Sequence, residues 1–282
     1  MANLSRRGFL NMAAMSTTAA GLSTLQLDAN PLGLPIGCQT YPVRHMIAED
    51  FPGTLKKLSQ AGFQTIELCS PVGYHDFAGV GKYSAAELRR ILSDANLTCI
   101  SSHFSIQELR KDLHGRIAWA KEIGLTQMMV PSLDGPQHPT MDDVKRAADE
   151  YNKMAAVSHA AGIQQGLHNE RFELSTVDGK RTYDMLFELL DPKLVKFQFQ
   201  VSTVAEGFHA AHYFTKYPGR FISMHAQGWS AKTKKIVPIG KGTLNWKKIF
   251  TAAKTGGIQN YFVEMNLEYM RESVPYLKSL HV

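Results

Sequence analysis

Histidine and carboxylate side chains recur near the ends of short apolar runs in this chain. His103 ends one such run, His168 and Glu170 end a second, and His225 lies near the end of a third. Imidazole nitrogens and carboxylate oxygens are common ligands of divalent metal ions, and the same groups carry protons in acid–base catalysis. The residue types therefore indicate metal-assisted or acid–base chemistry, provided that the fold brings them together.

The alternation within each run predicts which side chains share a face. Successive side chains of a strand point to opposite sides, so Gln200 is separated from Phe199, and Glu264 from Val263. The polar residues of one parity are expected to converge, with Glu170 beside them. These residues are Glu67, His103, His168, Gln200, His225 and Glu264.

Each of these residues also has a purely structural interpretation. His103 could be a hydrogen-bonded core histidine, Gln200 a polar filler, and Glu67 the partner of a buried arginine. Burying several such groups among apolar side chains costs several kcal/mol for each unpaired charge, unless they pair, hydrogen-bond or hold a metal. Their expected convergence at strand ends favours a functional site.

The elements that must position these residues are eight β-rich runs alternating with helical patterns. The predicted strands are Ile36–Tyr41, Gln64–Cys69, Thr98–His103, Gln127–Pro131, Ile163–Asn169, Val195–Val201, Phe221–Ala226 and Tyr261–Met265. Predicted amphipathic helices between them include Phe51–Ala61, Ala85–Ala95, Met141–Ala160, Tyr183–Leu190 and Trp246–Thr255. Eight such units predict an α/β fold of the (β/α)8 TIM barrel type, which commonly occupies ~250 residues. A doubly wound open sheet is the alternative, but no G-x-G-x-x-G sequence follows the first strand.

Composition narrows the classes of partner. The chain has 282 residues, of which 44% are hydrophobic and 20% charged, as is typical of a globular protein. The formal net charge of +6 is scattered rather than gathered in a basic stripe, which argues against a nucleic-acid partner and favours a small molecule. Three cysteines without C-x-x-C spacing do not make a paired disulfide framework, so we expect them to be buried as small apolar residues.

The amino terminus resembles a twin-arginine export signal. Arg6 and Arg7 precede a weakly apolar, small-residue stretch. We therefore expect residues 1–29 to be a signal and linker, residues 30–282 to be the barrel domain, and the protein to be exported to the periplasm. No other segment has the ~18 consecutive apolar residues of a membrane span.

From about residue 36 to residue 280, the chain resembles the sugar phosphate isomerase and epimerase superfamily of xylose-isomerase-like barrels. The motifs that carry the resemblance are G-L-H-N-E-R-F-E at 166–173, F-Q-F-Q-V at 197–201, K-Y-P-G-R-F at 216–221 leading to His225, G-K-G-T-L-N-W at 240–246 and Y-F-V-E at 261–264. The resemblance implies enzymes that move a proton next to a sugar carbonyl through a metal-stabilised enediolate.

The resemblance also implies a divalent metal held by four side chains, at positions that here are His168, Gln200, His225 and Glu264. The usual set in the superfamily is Glu, Asp, His and Glu, so two positions depart from it. The set carries one negative charge instead of three, which favours Mn²⁺, Co²⁺, Fe²⁺ or Zn²⁺ over Mg²⁺ and leaves open that no metal binds.

Catalytic and binding roles follow partly from the resemblance, which implies the double role of Glu264, and partly from the position of the other residues at strand ends and in the loops that follow them. Glu170 is expected to accept the proton, Glu264 to act both as ligand and as base on the opposite face, and His103 to relay protons. Further residues are expected to contact the substrate or cover it from loops. They are Glu67, Glu173, His209, Trp229 and Gln227.

Three functions remain open at this point. The first is a sugar or keto-sugar isomerase or epimerase, and the second a 3-keto-glycoside lyase or hydratase that uses the same enolate. The third is a non-catalytic periplasmic sugar-binding barrel. A multi-metal phosphodiesterase is disfavoured because Gln200 is neutral. A sugar or keto-glycoside is the expected partner, and a partner sugar oxidoreductase and a homo-oligomer are further expectations.

Overall fold

Eight parallel strands form a closed barrel in the computed structural model, which describes residues 30–282. Each strand pairs with the next along the chain, and the last pairs with the first, so the sheet has no open edge. The strands are β1 Gly37–Gln39, β2 Thr65–Cys69, β3 Thr98–His103, β4 Gln127–Val130, β5 Gln164–Leu167, β6 Val195–Gln200, β7 Phe221–Ala226 and β8 Asn260–Val263. The predicted (β/α)8 barrel is confirmed, and an open doubly wound sheet is excluded.

Helices surround the barrel. They are α1 Arg44–Glu49, α2 Phe51–Gln60, α3 Ala85–Asp94, α4 Ile106–Ile123, α5 Met141–Ala160, α6 Thr182–Leu189, α7 Ala210–Lys216, α8 Trp246–Gly256 and α9 Leu267–Ser279. Ser84, Ser105 and Thr140 each begin a helix with a reciprocal capping box, which satisfies backbone N–H groups that would otherwise lack partners. No helix within residues 30–282 is long and apolar enough to cross a membrane.

The observed strands are mostly shorter than the predicted ones. The predicted strand Ile36–Tyr41 narrows to Gly37–Gln39 because Tyr41–Val43 form a 3-10 turn at the top of the barrel. The predicted strand Ile163–Asn169 likewise ends at Leu167, where β5 stops pairing with β6. Apolar runs predict where a strand lies better than where it ends, since polar loop residues continue the alternation.

The strands divide the buried side chains between the barrel lumen and the layer under the helices. Phe197 and Phe199 pack outward in the main apolar core, whereas Gln198 points to the lumen. Inside the barrel, Met129 occupies the space beside Gly166, where a Cβ atom would overlap its sulfur. The three cysteines are buried and unpaired, as expected.

Two irregularities in strand register change the face that a residue occupies. β2 pairs Ile66 with Cys99 but Glu67 with Ser101, so β3 gains one residue there. Cys99 therefore packs in the outer core, while Ser101 hydrogen-bonds Glu67 in the lumen. Such bulges re-aim side chains without breaking the sheet, and this one turns the upper part of β3, with His103, toward the lumen.

Candidate functional site

Glu67 lies at the centre of a hydrogen-bond network near the carboxyl ends of the strands. Its Oε1 accepts from Ser101 Oγ at 2.5 Å and Gln198 Nε2 at 2.9 Å. Its Oε2 accepts from Gln39 Nε2 at 2.8 Å and lies 2.6 Å from His225 Nε2. A fully buried carboxylate is thus held by side chains of four other strands.

The charge of Glu67 is sustained by neighbouring imidazoles. Burial by itself would raise the pKa of this carboxyl, but His103 and His225 outweigh burial and hold the pKa well below its ordinary value. His103 Nε2 lies 3.2 Å from Glu67 Oε2 and 2.8 Å from Gln198 Oε1. Glu67 is therefore an anion that orients histidines.

Three buried histidines form a cluster above Glu67. One ligand atom from each of His103, His168 and His225 lies within 4.8 Å of the others, a spacing suited to a single metal ion. The ring centroids of His168 and His225 are 4.5 Å apart, and the rings of His103 and His225 stack at 5.1 Å. The cluster includes His103, which was predicted as a proton relay rather than as a ligand.

His225 is held between two carboxylates. Its Nε2 faces Glu67, and its Nδ1 lies 3.3 Å from Glu264 Oε2. Burial opposes the charge of His225, but Glu264 and Glu67 more than offset that effect and raise the pKa to about 10. The imidazole is therefore positively charged and fixed in orientation when only these protein groups surround it.

His168 and Gln200 carry unused ligand atoms. Neither ring nitrogen of His168 nor the Oε1 of Gln200 has a hydrogen-bond partner in the described chain, although all three atoms are buried. Burial, and then the charges of His225 and His103, lowers the pKa of His168 well below its ordinary value, so its ring keeps a free lone pair. Buried polar atoms without partners are rare, and a metal ion would satisfy them.

The four predicted ligands lie near one another, but only His168 and His225 belong to the histidine cluster. Gln200 Nε2 donates to Glu264 Oε2 at 2.5 Å, and Gln227 Nε2 donates to the same oxygen at 3.1 Å. His225 and His168 lie beside them. His168 and His225 belong with His103 to the group whose spacing suits a metal ion, whereas Gln200 and Glu264 lie beside this group and are hydrogen-bonded to each other.

A pocket of about 290 Å³ opens above this cluster. His103 and Glu264 line it from the strand ends, and Glu170 and Arg171 line it from the loop after β5. Burial is the main reason that the pKa of Glu170 is raised above the usual carboxyl value. Glu170 Oε1 lies 3.8 Å from His168 Nε2, so the predicted base stands next to the predicted metal ligands.

Glu67 and Glu173 lie away from the pocket wall, contrary to their predicted contact with substrate. Glu67 has no exposed surface, and both its oxygens are occupied by barrel side chains. Glu173 is also fully buried, and its Oε1 accepts a 2.9 Å hydrogen bond from the backbone N–H of Leu133. Glu67 therefore orients the histidines, and Glu173 supports the loop after β4.

Replacing Glu173 by glutamine is expected to remove a pH-dependent loss of stability. Burial raises the pKa of this carboxyl to about 8 in the folded state, against an ordinary value of 4.5. The folded state therefore binds more protons than the unfolded state between these values, so stability is full below the window and falls as pH rises through it, by ~1.4 kcal/mol per pH unit. Glutamine cannot ionise, and Glu173→Gln should gain stability relative to the wild type as pH increases.

Chemical denaturation of both proteins across this pH window measures the effect. Tyr151, Tyr183 and Glu170 are the titratable neighbours of Glu173, and burial raises the pKa of each tyrosine well above its ordinary value. Glu122→Gln, an exposed change on α4, is the matched control. The same pH dependence in the wild type and the Glu173 variant would contradict the prediction.

His209 and Trp229 line a different depression. They border a mainly apolar cleft of about 920 Å³ near the amino-terminal ends of α7 and α8. Neither residue lines the pocket above the histidine cluster. Trp229 lies on a short hairpin, Gly228–Ser230 paired with Lys235–Val237, that follows β7. The predicted covering of the substrate by these two side chains therefore does not apply to the pocket above the histidines.

Four further polar residues surround Glu67 in the barrel lumen. Gln39, Ser101, Gln198 and Ser223 bond to Glu67 or to one another, and none had been proposed as a functional residue. Gln198 shares the parity of Gln200, so alternation alone could have identified it. Ser101 and Ser223 likewise share the parity of His103 and His225. The sequence carries no signal for the register shifts that place Cys99 and Phe221, of the same parity, in the outer core.

Comparisons with known proteins agree with the barrel fold. A family model described as a xylose isomerase-like TIM barrel matches residues 55–280. None of the curated proteins compared with the chain matches it. Among solved structures, a sugar phosphate isomerase/epimerase from Parabacteroides distasonis is 23% identical, with a TM-score of 0.74 over 88% of this chain and 94% of that one.

Two other solved structures share the fold at lower identity. D-psicose 3-epimerase in the presence of D-fructose is 14% identical, with a TM-score of 0.65 over 87% of this chain and 97% of that one. The IolI protein with a bound zinc atom is 12% identical, with a TM-score of 0.64 over 87% of this chain and 96% of that one. At identities this low, the structural similarity establishes that the architecture is shared and no more than that.

Proposed function

The chain belongs to the xylose isomerase-like TIM barrel family, and from that premise we propose that it is a sugar or keto-sugar isomerase or epimerase. The proposed reaction removes the proton α to a carbonyl group and returns it to a different position or face. The main support for this proposal is that His168 and Gln200 have ligand atoms without partners beneath a pocket. Glu170 lines the same pocket. Similarity to epimerase structures supports the proposal at the level of the fold.

The proposed roles follow from the position of each group. Glu170 lies at the pocket wall with part of its carboxyl exposed, so it can reach a substrate C–H bond and accept the proton. His103 and Glu264 line the same pocket and can hold substrate oxygens or return the proton from another direction. Glu67, beneath them, fixes the imidazoles of His103 and His225 in place.

We also propose that His168, Gln200, His225 and Glu264 bind a divalent metal, with His103 as the additional donor. When bound, the metal would supply Lewis-acid stabilisation of a developing oxyanion. A ligand set of two imidazoles, one amide oxygen and one carboxylate favours Mn²⁺, Co²⁺, Fe²⁺ or Zn²⁺ over Mg²⁺. Solved structures of this fold contain zinc in the IolI protein and magnesium in a protein from Mycobacterium smegmatis, so the choice of metal rests on the donor set of this chain.

His168→Ala is expected to lower the bound metal several-fold, because it removes a ligand whose two nitrogens have no other partner. Elemental analysis after loading with Zn²⁺ or Mn²⁺ and desalting measures the metal retained per chain. His159→Ala, which removes an exposed histidine of α5, is the matched control. Equal metal content in the two variants would exclude His168 from the coordination sphere.

A second candidate function is a lyase or hydratase acting on a 3-keto-glycoside. The raised pKa of Glu170 favours it, because a carboxyl that keeps its proton to higher pH can also donate that proton to a departing oxygen. The same proton abstraction would then be followed by loss of a group from the β-carbon rather than by reprotonation alone.

One experiment separates these functions. Metal-loaded protein is incubated in D₂O with D-fructose, D-tagatose and a 3-keto-glucoside, and mass spectrometry follows deuterium uptake and product identity. Deuterium in an isomerised or epimerised sugar is the expected result, whereas release of an aglycone would indicate the lyase. Binding without exchange or release for every sugar would indicate a non-catalytic sugar-binding barrel.

The cellular context is a further proposal. The paired arginines and the apolar stretch of residues 1–29 lie outside the described residues, and export to the periplasm is proposed from the sequence alone. A free sugar or a keto-glycoside is the proposed partner in that compartment, supplied there by a sugar oxidoreductase if it is a keto-glycoside. Lysine substitution of Arg6 and Arg7 should retain the protein in the cytoplasm, which cell fractionation would measure.

A further inference from the structure

Tyr74 lines the pocket but has no part in the chemistry described so far. It lies in the loop after β2 and shares the pocket wall with Tyr41, His103 and Glu170. Its ring packs edge-on against Tyr41, with centroids 6.0 Å apart, and against Phe77 at 6.3 Å. Two aromatic contacts thus fix the plane of the ring.

The backbone fixes the position of Tyr74 as well. Its N–H donates to the carbonyl of Ser70 at 3.1 Å, and its carbonyl accepts from the N–H of Phe77 at 3.0 Å. Ser70 directly follows β2, so the turn joins Tyr74 to the rigid barrel. The phenol is therefore held in place without help from its hydroxyl group.

The hydroxyl group of Tyr74 makes no hydrogen bond to another group within residues 30–282, and it is not enclosed as the hydroxyl groups of Tyr183 and Tyr261 are, so it is accessible from the pocket. A pocket-facing hydroxyl can exchange a water molecule for an oxygen atom of a bound ligand. Burial, and then the proximity of Cys69 and Glu170, raises the pKa of the phenol well above its ordinary value. The group therefore keeps its proton and is available as a neutral donor beside the proposed base.

We infer that Tyr74 is a further substrate-binding residue whose hydroxyl donates a hydrogen bond to an oxygen of the bound sugar. The inference rests on the proposed function, and it also narrows the substrate class. A pocket of about 290 Å³ lies at the small end of the range of ligand pockets, about 300 to 1,000 Å³, a size suited to one sugar ring rather than to an oligosaccharide. The unit that reacts is a single monosaccharide, free or at the end of a glycoside.

Tyr74→Phe tests the hydroxyl alone, because phenylalanine keeps both ring contacts. We expect kcat/KM for deuterium exchange to fall about tenfold, mainly through a higher KM, with an unchanged melting temperature. Tyr83→Phe is the matched control, since Tyr83 is a half-buried tyrosine packed against Phe51 that does not line the pocket. The substrates are D-fructose, D-tagatose and a 3-keto-glucoside, and calorimetric titration of each sugar gives affinity independently of turnover.

The outcomes separate this inference from the proposed function. If the wild type exchanges hydrogen and the Tyr74 variant matches the Tyr83 variant in both KM and sugar affinity, the inference is wrong and the function stands. If the wild type binds sugar without exchange, loss of affinity confined to the Tyr74 variant upholds the inference while the proposed reaction fails. A wild type that binds none of these sugars overturns both.

Discussion

Glu170→Gln is expected to lower the rate of deuterium exchange into a keto-sugar by ~10²- to 10⁴-fold, the usual contribution of a positioned general base. The amide keeps the size of the carboxyl group but cannot accept the proton. Glu170 is only partly buried and has no close hydrogen-bond partner in the described chain, its nearest being His168 Nε2 at 3.8 Å, so the fold should tolerate the change. The measurement is single-turnover exchange followed by mass spectrometry, with sugar affinity recorded by titration.

Glu188→Gln is the matched control for this prediction. It makes the same chemical change at an exposed position on α6, a helix that contributes no residue to the pocket wall. We expect the Glu170 variant to bind sugar with nearly wild-type affinity, because the substitution impairs proton transfer and not sugar binding. If exchange in the Glu170 variant stayed within a factor of two or three of the control, another group, with Glu264 the first candidate, would have to be the base.

Glu67→Ala is expected to have the largest effect on stability, a loss of ~3–5 kcal/mol in the free energy of unfolding. The substitution removes the anion that faces His225 and leaves the donors of Gln39, Ser101 and Gln198 without their acceptor. Each buried group left unpaired costs free energy because no water replaces the lost partner. Urea denaturation followed by circular dichroism measures the change.

The same variant should also lose the order of the histidine cluster. His225 would keep only Glu264 as a charged neighbour, so both its orientation and its raised pKa should change. Glu122→Ala removes an exposed glutamate of α4 and should stay within about 0.5 kcal/mol of the wild type. A Glu67 variant as stable as this control would mean that the network contributes nothing to folding.

The sequence was most informative about features that depend on residues close together along the chain. Strands of a closed parallel barrel are buried on both faces, so they appear as short apolar runs, and the intervening helices appear as amphipathic segments with capping residues. These signals predicted all eight strands within a few residues. The alternation along β6 also placed Gln200 on the lumen side, where it meets Glu264.

These local patterns do not predict contacts between residues that are far apart along the chain. Glu67 and Glu173 are both carboxylates near strand ends, and nothing in their neighbours along the chain distinguishes a residue that lines a pocket from one enclosed beneath it. The structure shows that Glu67 bonds to residues 28 to 158 positions away. Trp229 similarly follows a strand that carries a site residue, yet its hairpin turns it toward a different cleft.

What the sequence by itself determined is the number and order of the β/α units and the set of polar residues at their ends, because propensity, periodicity and capping act within a few positions. What only the tertiary structure decided is which of those residues face the pocket, which lie beneath it and which bond to one another. The shifts that separate Cys99 from Ser101 and Phe221 from Ser223 show why. A strand's register is fixed by packing against its neighbours, and one inserted residue reverses the face of every side chain that follows.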